Sequence, residues 1–231
     1  MKREAAKKIA HETQHSYDQM AVEFSSTRVQ FWRELAFLAD HIKRDDHVLD
    51  IGSGNGRFFP LVLARHAQYT GIDYAEGLVK EAVQKFPEGT FQIADATALP
   101  FPDNTFDIAY SFAVIHHIPG MALRNQFISE AHRVLHPRGK LILTAWDLWS
   151  PKYFSRLLLS AVGSLLQKNN LDVGDVMLTF GKEKRPRYVH ACTTRELRTL
   201  LERNGFRILG IDRIARKSGE QNIVIVAERI N

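Results

Sequence analysis

Residues 48–56, Val-Leu-Asp-Ile-Gly-Ser-Gly-Asn-Gly, decide how this chain is read. An apolar, β-branched run reaches Asp50 and then breaks into glycines at 52, 54 and 56, and Arg57 to His66 reads as helical. A buried strand turning sharply into a helix uses glycine where the backbone needs positive φ or presses against a ligand. Nineteen residues past Gly54, the apolar segment Tyr69-Thr-Gly-Ile-Asp73 ends in a second carboxylate. That is about the spacing at which the second strand of a nucleotide-binding sheet offers an acid to a ribose diol. The pattern predicts an adenosine-containing cofactor.

The glycine spacing narrows the choice. A dinucleotide loop reads G-x-G-x-x-G, and its open amides receive a pyrophosphate. Here the third glycine comes one residue early, and an acid stands two residues ahead of the first. A carboxylate there repels pyrophosphate and suits a ligand with an ammonium group. S-adenosylmethionine (SAM) carries an α-ammonium and a sulfonium and no phosphate, so SAM is the expected ligand of residues 50–56. The competing reading is a glycine loop with no ligand.

At 231 residues, with 45% hydrophobic and 25% charged residues, the chain suits one α/β domain with a substantial core. A single cysteine, Cys192, excludes an internal disulfide framework and fits a reducing, cytoplasmic location. The N-terminal Met1-Lys-Arg-Glu-Ala-Ala-Lys-Lys lacks the apolar core of a signal peptide. No apolar run approaches the roughly 18–20 residues that span a bilayer, so no membrane partner is expected. The net charge of +5 points to a polyanionic or carboxylate-bearing partner.

Along the chain, residues 1–20 read as a polar helix, Phe24-Ser-Ser-Thr-Arg28 as a loop, and Phe31, Trp32, Leu35, Phe37 and Leu38 as the apolar face of a second helix. Then comes alternation: strand 47–52, helix 57–66, strand 69–73, helix 76–86, strand 90–95, strand 106–112, helix 121–135 and strand 139–146. Such alternation implies a parallel sheet covered on both faces. Residues 148–186, with an apolar helix from Tyr153 to Leu166 and a Gly/Asn/Asp-rich stretch, read as an insertion. Helix 194–204, strand 206–214 and a last strand from Asn222 to Ile230 follow, the last two joined by the turn Lys217-Ser-Gly-Glu220. The expected organisation is a helical lid at 1–44 and a cofactor-binding core at 45–231.

These motifs resemble the class I SAM-dependent methyltransferases over roughly residues 45–230. Asp50 to Gly56 is similar to the cofactor loop, and Gly71-Ile-Asp73 to the ribose-binding acid. Ala94-Asp-Ala-Thr-Ala-Leu-Pro-Phe101 is similar to the adenine-edge motif, Phe106 to His117 to the fourth strand and its exit, and Arg133 to Leu141 to the turn into the fifth. Arg138 stands where that turn usually has a glycine. The implied fold is a Rossmann-like, seven-stranded methyltransferase sheet whose last strand is antiparallel. A narrower resemblance, to the tRNA wobble-uridine carboxymethyl methyltransferases, rests on Phe24-Ser-Ser-Thr-Arg28 with Trp32, Ala113-Val-Ile-His-His117, Trp146, and Arg187-Tyr-Val-His190. Members of that family esterify the carboxymethyl group of a modified uridine, and the eukaryotic ones work with a small zinc-binding activator subunit. The resemblance thus implies tRNA and such a subunit as partners. Ser53, where many relatives carry cysteine, and the 148–186 insertion with its Lys182-Glu-Lys-Arg-Pro-Arg187 run depart from it.

Each candidate residue has a plainer alternative. Asp73 is the expected ribose acid or else a helix N-cap. Asp95 with Ala96 is expected to hold the adenine edge or else simply ends a strand. Asp50 faces the methionine end or braces the loop, while Gly52, Ser53 and Gly54 pass beneath the ligand; Ser111, in the fourth-strand segment, completes the expected cofactor set. Arg28 is expected to grip a carboxylate of cofactor or substrate, with helix capping as its alternative. His116 and His117 are expected on the acceptor side; no Cys/His cluster accompanies them to suggest a metal. Three functions are then open: a tRNA carboxymethyl methyltransferase, a methyltransferase of a small metabolite or quinone precursor, and a SAM-binding subunit without catalysis.

Overall fold

Val48 and Leu49 face opposite sides of the central sheet, and the rest of the chain is arranged around that alternation. The computed structural model describes residues 1–165, 171–181, 183–216 and 219–231. In chain order the elements are α1 (Arg3–Gln19), α2 (Ala21–Thr27), a 3-10 segment (Arg33–His41), β1 (His47–Ile51), α3 (Phe59–Leu63), β2 (Gln68–Asp73), α4 (Glu76–Lys85) and β3 (Thr90–Ile93). Next come β4 (Phe106–Phe112), a 3-10 turn (Ile115–His117), α5 (Met121–Val134), β5 (Leu135–Asp147) and α6 (Pro151–Leu165). The last are β6 (Asp175–Phe180), β7 (Arg185–His190), α7 (Thr194–Arg203), β8 (Phe206–Ala215) and β9 (Gln221–Arg229).

Among the described residues seven strands form one sheet in the order β3-β2-β1-β4-β5-β9-β8. The pairs from β3 through β5 are parallel, and β9 is antiparallel to both β5 and β8. One face packs Leu49, Ile51, Leu141, Leu143 and Ile225 against Phe127, Ile128 and Leu197 of α5 and α7. The other packs Val48, Ile108, Tyr110, Ile142 and Val224 against Leu35, Leu38, Phe58 and Val62. Alternating contributions to the two faces from β1, β5, β9 and, past the irregularity between Phe106 and Ile108, β4 are the period-2 geometry of a sheet buried on both sides.

Three expectations change. Phe24-Ser-Ser-Thr-Arg28 is not a loop: α2 runs to Thr27, whose hydroxyl bonds back to the carbonyls of Glu23 and Phe24, and Arg28 is its C-terminal cap. The second amphipathic segment is 3-10 rather than α, and Phe37 on it is exposed. The 148–186 stretch contains a strand: β6 pairs antiparallel with β7, from Asp175↔His190 to Phe180↔Arg185, in a separate two-stranded sheet that runs on past residue 186. Its inner side chains Val176, Leu178 and Val189 pack with Leu148 and Leu157. Leu166, Lys182 of the basic run, and Lys217 with Ser218 of the expected turn lie outside the described residues.

Candidate active site

A cavity of about 900 Å³ opens at the carboxyl ends of β1, β2 and β4, where open α/β sheets bind ligands. The turn after β1 forms its floor. The amides of Gly52 and Ser53 both donate to the Ile72 carbonyl at 2.8 Å, which pins the turn to β2. Gly52 has φ +77°, and a Cβ there would lie 2.2 Å from the Val114 side chain, so no other residue fits. Gly54 also has positive φ, and a Cβ on it would project to 3.6 Å from Phe24, into the gap between turn and α2. The face of α1 carrying Arg3, Lys7, His11 and Gln14 crosses above as a roof.

Three carboxylates line one side. Asp73 accepts from the Gly54 amide and the Ala75 amide, each at 2.9 Å, so it braces the turn and caps the approach to α4 together. Burial raises its pKa against the pull of those two amides. Asp50 accepts from the Tyr69 hydroxyl at 2.9 Å. Burial pushes it up to about 7, with the Tyr69 bond opposing and the Asp73 charge adding to the rise. A carboxyl held there is poised to ionise when a cation arrives. Asp95 Oδ1 is taken by the amide and hydroxyl of Thr97 at 2.8 Å, in the turn that leaves β3.

The opposite end is cationic. Arg28, Arg57, Arg187 and Arg216 all line the cavity. Arg216 pairs with Glu220, but among the described residues no carboxylate comes within ion-pair distance of the other three. Aromatic rings hold them instead: Arg57 lies 3.6 Å over Trp32, Arg28 between Phe24 and Phe180, and Arg187 between Trp146 at 4.5 Å and Phe180 at 4.8 Å. Burial lowers the pKa of Arg28, and it lowers Arg57 to about 9, with Arg28 as the largest neighbouring charge. The Nε of Arg187 and the Nε1 of Trp146 are buried donors without a partner among the described residues.

His117 is tied into this end. Its Nδ1 donates to the Tyr188 carbonyl at 2.8 Å, which leaves Nε2 to accept from the Tyr17 hydroxyl at 3.2 Å. The same hydroxyl accepts from Arg187 Nη1 at 3.3 Å. Burial, then the Arg187 charge, hold His117 at about 3, so the ring is neutral and acts as an acceptor that orients Tyr17 and through it Arg187.

Of the sequence candidates, Arg28, Asp50, Gly52, Ser53 and Gly54 are on the cavity wall, as are Asp73, Asp95, Ala96 and His117. Two are not. Ser111 is fully buried on the sheet face shared with Ala109, because strand alternation turns it away from Phe112, which does line the cavity. His116 is fully buried behind Trp146, its ring 4.7 Å away, and its Nδ1 accepts from the Trp146 amide. Sequence reasoning missed Tyr17, Asn55, Arg57 and Arg216. Asn55 donates to the Arg28 carbonyl at 2.9 Å and ties the glycine turn to the end of α2. A signal existed for Arg57, since a side chain directly after the last glycine of the turn must lie beside that turn; Tyr17 and Arg216 carry no local signal. Among the described residues there is no group of three or more His, Cys, Asp or Glu that would hold a metal, and no helix is long and apolar enough to cross a membrane.

Comparison with known proteins agrees with this geometry. Residues 49–143 match the family described as methyltransferase domain. An Encephalitozoon cuniculi protein whose name assigns it to the methyltransferases is 34% identical over 84% of this chain and 86% of its own. The tRNA (carboxymethyluridine(34)-5-O)-methyltransferase of Arabidopsis thaliana is 34% identical over 62% of this chain, which spans 34% of that longer protein. A solved SAM-dependent methyltransferase of Methanosarcina mazei shares the fold with a TM-score of 0.73 at 23% identity, over 87% of this chain and 99% of that one.

Proposed function

This chain belongs to the class I SAM-dependent methyltransferases, and from that premise we propose that its methyl acceptor is the carboxymethyl group of a modified wobble uridine in tRNA. The cofactor is SAM, and the cavity suits it. Its carboxylates stand where an ammonium, a ribose diol and an adenine amine would each find an acceptor, and Gly54 leaves open the space a Cβ would fill. We assign Asp50 to the ammonium, Asp73 to the ribose, and Asp95 with the Ala96 amide to the adenine edge. The helices of residues 1–44 act as the lid.

The observation that carries the acceptor reading is the pair of unsatisfied buried donors, Arg187 Nε and Trp146 Nε1, beside a guanidinium with no carboxylate partner among the described residues. Unpartnered buried donors are costly, and an anionic acceptor satisfies both. When bound, SAM supplies an electrophilic methyl on its sulfonium. The residues of this chain then have three tasks. Arg187 and Arg28 hold the acceptor carboxylate, bidentately where the fork allows. The aromatic wall of Phe24, Trp146 and Phe180 excludes water. Tyr17 and His117 keep Arg187 in line, because transfer needs nucleophile and methyl at roughly 3–3.5 Å. A carboxylate is already ionised at neutral pH, so no general base is required, which agrees with a His117 that stays neutral. The net charge of +5 favours a polyanion. A small activator subunit is the second partner we propose; the unpaired edge of β3, with Ile93 exposed, offers it a place for strand addition.

The test is incubation with labelled SAM and total tRNA, then identification of the labelled nucleoside by mass spectrometry. A methyl ester releases methanol in mild alkali. Label on tRNA that resists alkali rejects the carboxylate, and label found only on small metabolites favours the metabolite or quinone-precursor reading instead.

A further inference from the structure

Beneath the β6–β7 hairpin, outside the cavity, lies a set of buried charges that methyl transfer does not itself use. Asp175 is fully buried, Arg124 is 2% exposed and His190 5% exposed. Asp175 Oδ1 accepts from the Tyr188 hydroxyl at 2.6 Å and from His190 Nδ1 at 2.7 Å. On the other side of the ring, His190 Nε2 lies 3.0 Å from both oxygens of Glu196, and Glu196 in turn is 3.3 Å from Arg124 Nη2. Arg124 Nη1 continues to the Ile118 carbonyl at 3.1 Å and the Tyr188 hydroxyl at 3.5 Å.

The chemistry of the ring follows from those contacts. Both imidazole nitrogens face carboxylates, which only accept, so both must carry protons. With His190 as imidazolium the four charges balance; without its proton the buried set keeps one net negative charge and turns a lone pair toward a carboxylate, a costly arrangement. The groups around the ring are Asp175 on β6, Tyr188 on its own strand, Glu196 on α7 and, through Glu196, Arg124 on α5. The Cys192 thiol, pushed up to about 12 by burial, stays neutral nearby. Burial alone lowers the His190 pKa, but the hydrogen bonds to Asp175 and Glu196 outweigh it and hold it above the ordinary value.

The network grips β7, the strand that carries Arg187 into the cavity. Arg187 stands three residues before His190 on β7 and next to Tyr188, whose hydroxyl is held by the same Asp175 oxygen and whose carbonyl takes the His117 proton. We propose that His190, as an imidazolium, clamps β7 to β6, α5 and α7 and thereby sets the position of Arg187 at the acceptor, making it a positioning residue for methyl transfer. This rests on the acceptor role of Arg187 proposed above.

Three measurements on wild-type protein and two on His190→Gln test it. In nuclear magnetic resonance, the His190 ring should titrate above the ordinary histidine value of about 6.5; a ring titrating at or below it overturns the proposal. Hydrogen exchange of the β7 amides, referenced at each pH to those of β1, should quicken as pH rises through that titration; unchanged relative protection overturns it. Neither needs an acceptor, so both stand apart from the tRNA reading. With total tRNA and saturating SAM, wild-type kcat should fall at least severalfold on the alkaline side. His190→Gln should keep S-adenosylhomocysteine affinity within about twofold by calorimetry, with a lower and pH-independent kcat. A kcat profile in the variant that matches wild type removes the positioning role, while failure of transfer to any tRNA, with the first two results intact, rejects the acceptor alone. If the glutamine variant does not fold, the wild-type titration and exchange decide.

Discussion

Replacing Asp73 by alanine removes two supports that the structure puts on one side chain. The amides of Gly54 and Ala75 lose their acceptor at 2.9 Å, and the cofactor ribose loses a carboxylate. A hydrogen bond to a charged group is worth about 1.5–3 kcal/mol, so loss of the ribose contact should weaken SAM binding by roughly tenfold to more than a hundredfold. The two amides face the open cavity and water can replace part of what they lose. We therefore expect the SAM-free protein to lose only about 1–2 kcal/mol, or roughly 2–8 °C in Tm for a chain of this length. Calorimetry with SAM and a thermal melt without it separate the two roles. If Asp73→Ala melts lower but binds SAM within about twofold of wild type, Asp73 braces the turn and does nothing else, and the ribose assignment is wrong.

Three further outcomes are expected. Because Asp50 is held at about 7, SAM binding should tighten as pH climbs from 5.5 toward 7, by up to about tenfold per unit, and Asp50→Asn should abolish that slope. The same raised pKa gives the SAM-free protein stability that is complete below the ordinary carboxylate value and lost as pH rises through about 7; a pH-independent affinity would refute the ammonium contact. Arg187→Met should cut kcat roughly 10–150-fold, the loss of one charge-assisted contact of about 1.5–3 kcal/mol, with SAM affinity little changed; an unchanged kcat places the acceptor elsewhere. With saturating SAM, kcat should show no ascending limb between about pH 6.5 and 8, since carboxylates titrate near 4 and His117 is neutral throughout; a rise in that range would mean a titrating base and an amine or phenol acceptor.

The parallel core was legible because every signal in it is local. Val48 to Gly56 carries its own strand, turn and glycine pattern, and β4, β5 and β9 stand out in sequence as apolar runs because both faces of each strand are buried. The β6–β7 hairpin was not legible: its pairing joins Val176 to Val189 across residues that read as turn formers, and only the cluster with Leu148 and Leu157 gives those side chains a reason to alternate. The α2 helix was hidden for a different reason. Ser25, Ser26 and Thr27 favour turns, but Thr27 satisfies its hydroxyl on the helix's own carbonyls, so the helix continues. In the site, the carboxylates follow from strand ends and were found. Tyr17 was not, because its meaning lies in its contacts with His117 and Arg187, from elements 100 and 170 residues away.

The place of β9 has a kinetic consequence. It follows every other strand in the chain, yet it lies between β5 and β8 and supplies Ile223, Val224 and Ile225 to the two cores. Until it arrives, β5 has an open apolar edge and β8 has no neighbour at all in the sheet. During synthesis the first 220 residues therefore hold a half-finished surface, of the kind that pairs with other chains. Closure by β9 must come late and must pair it with β5, a strand far from it in sequence, so it should set the slow step of refolding. A single charged substitution at Val224 should then slow refolding and raise aggregation far more than it disturbs the glycine turn after β1, since that turn is complete once β2 has formed.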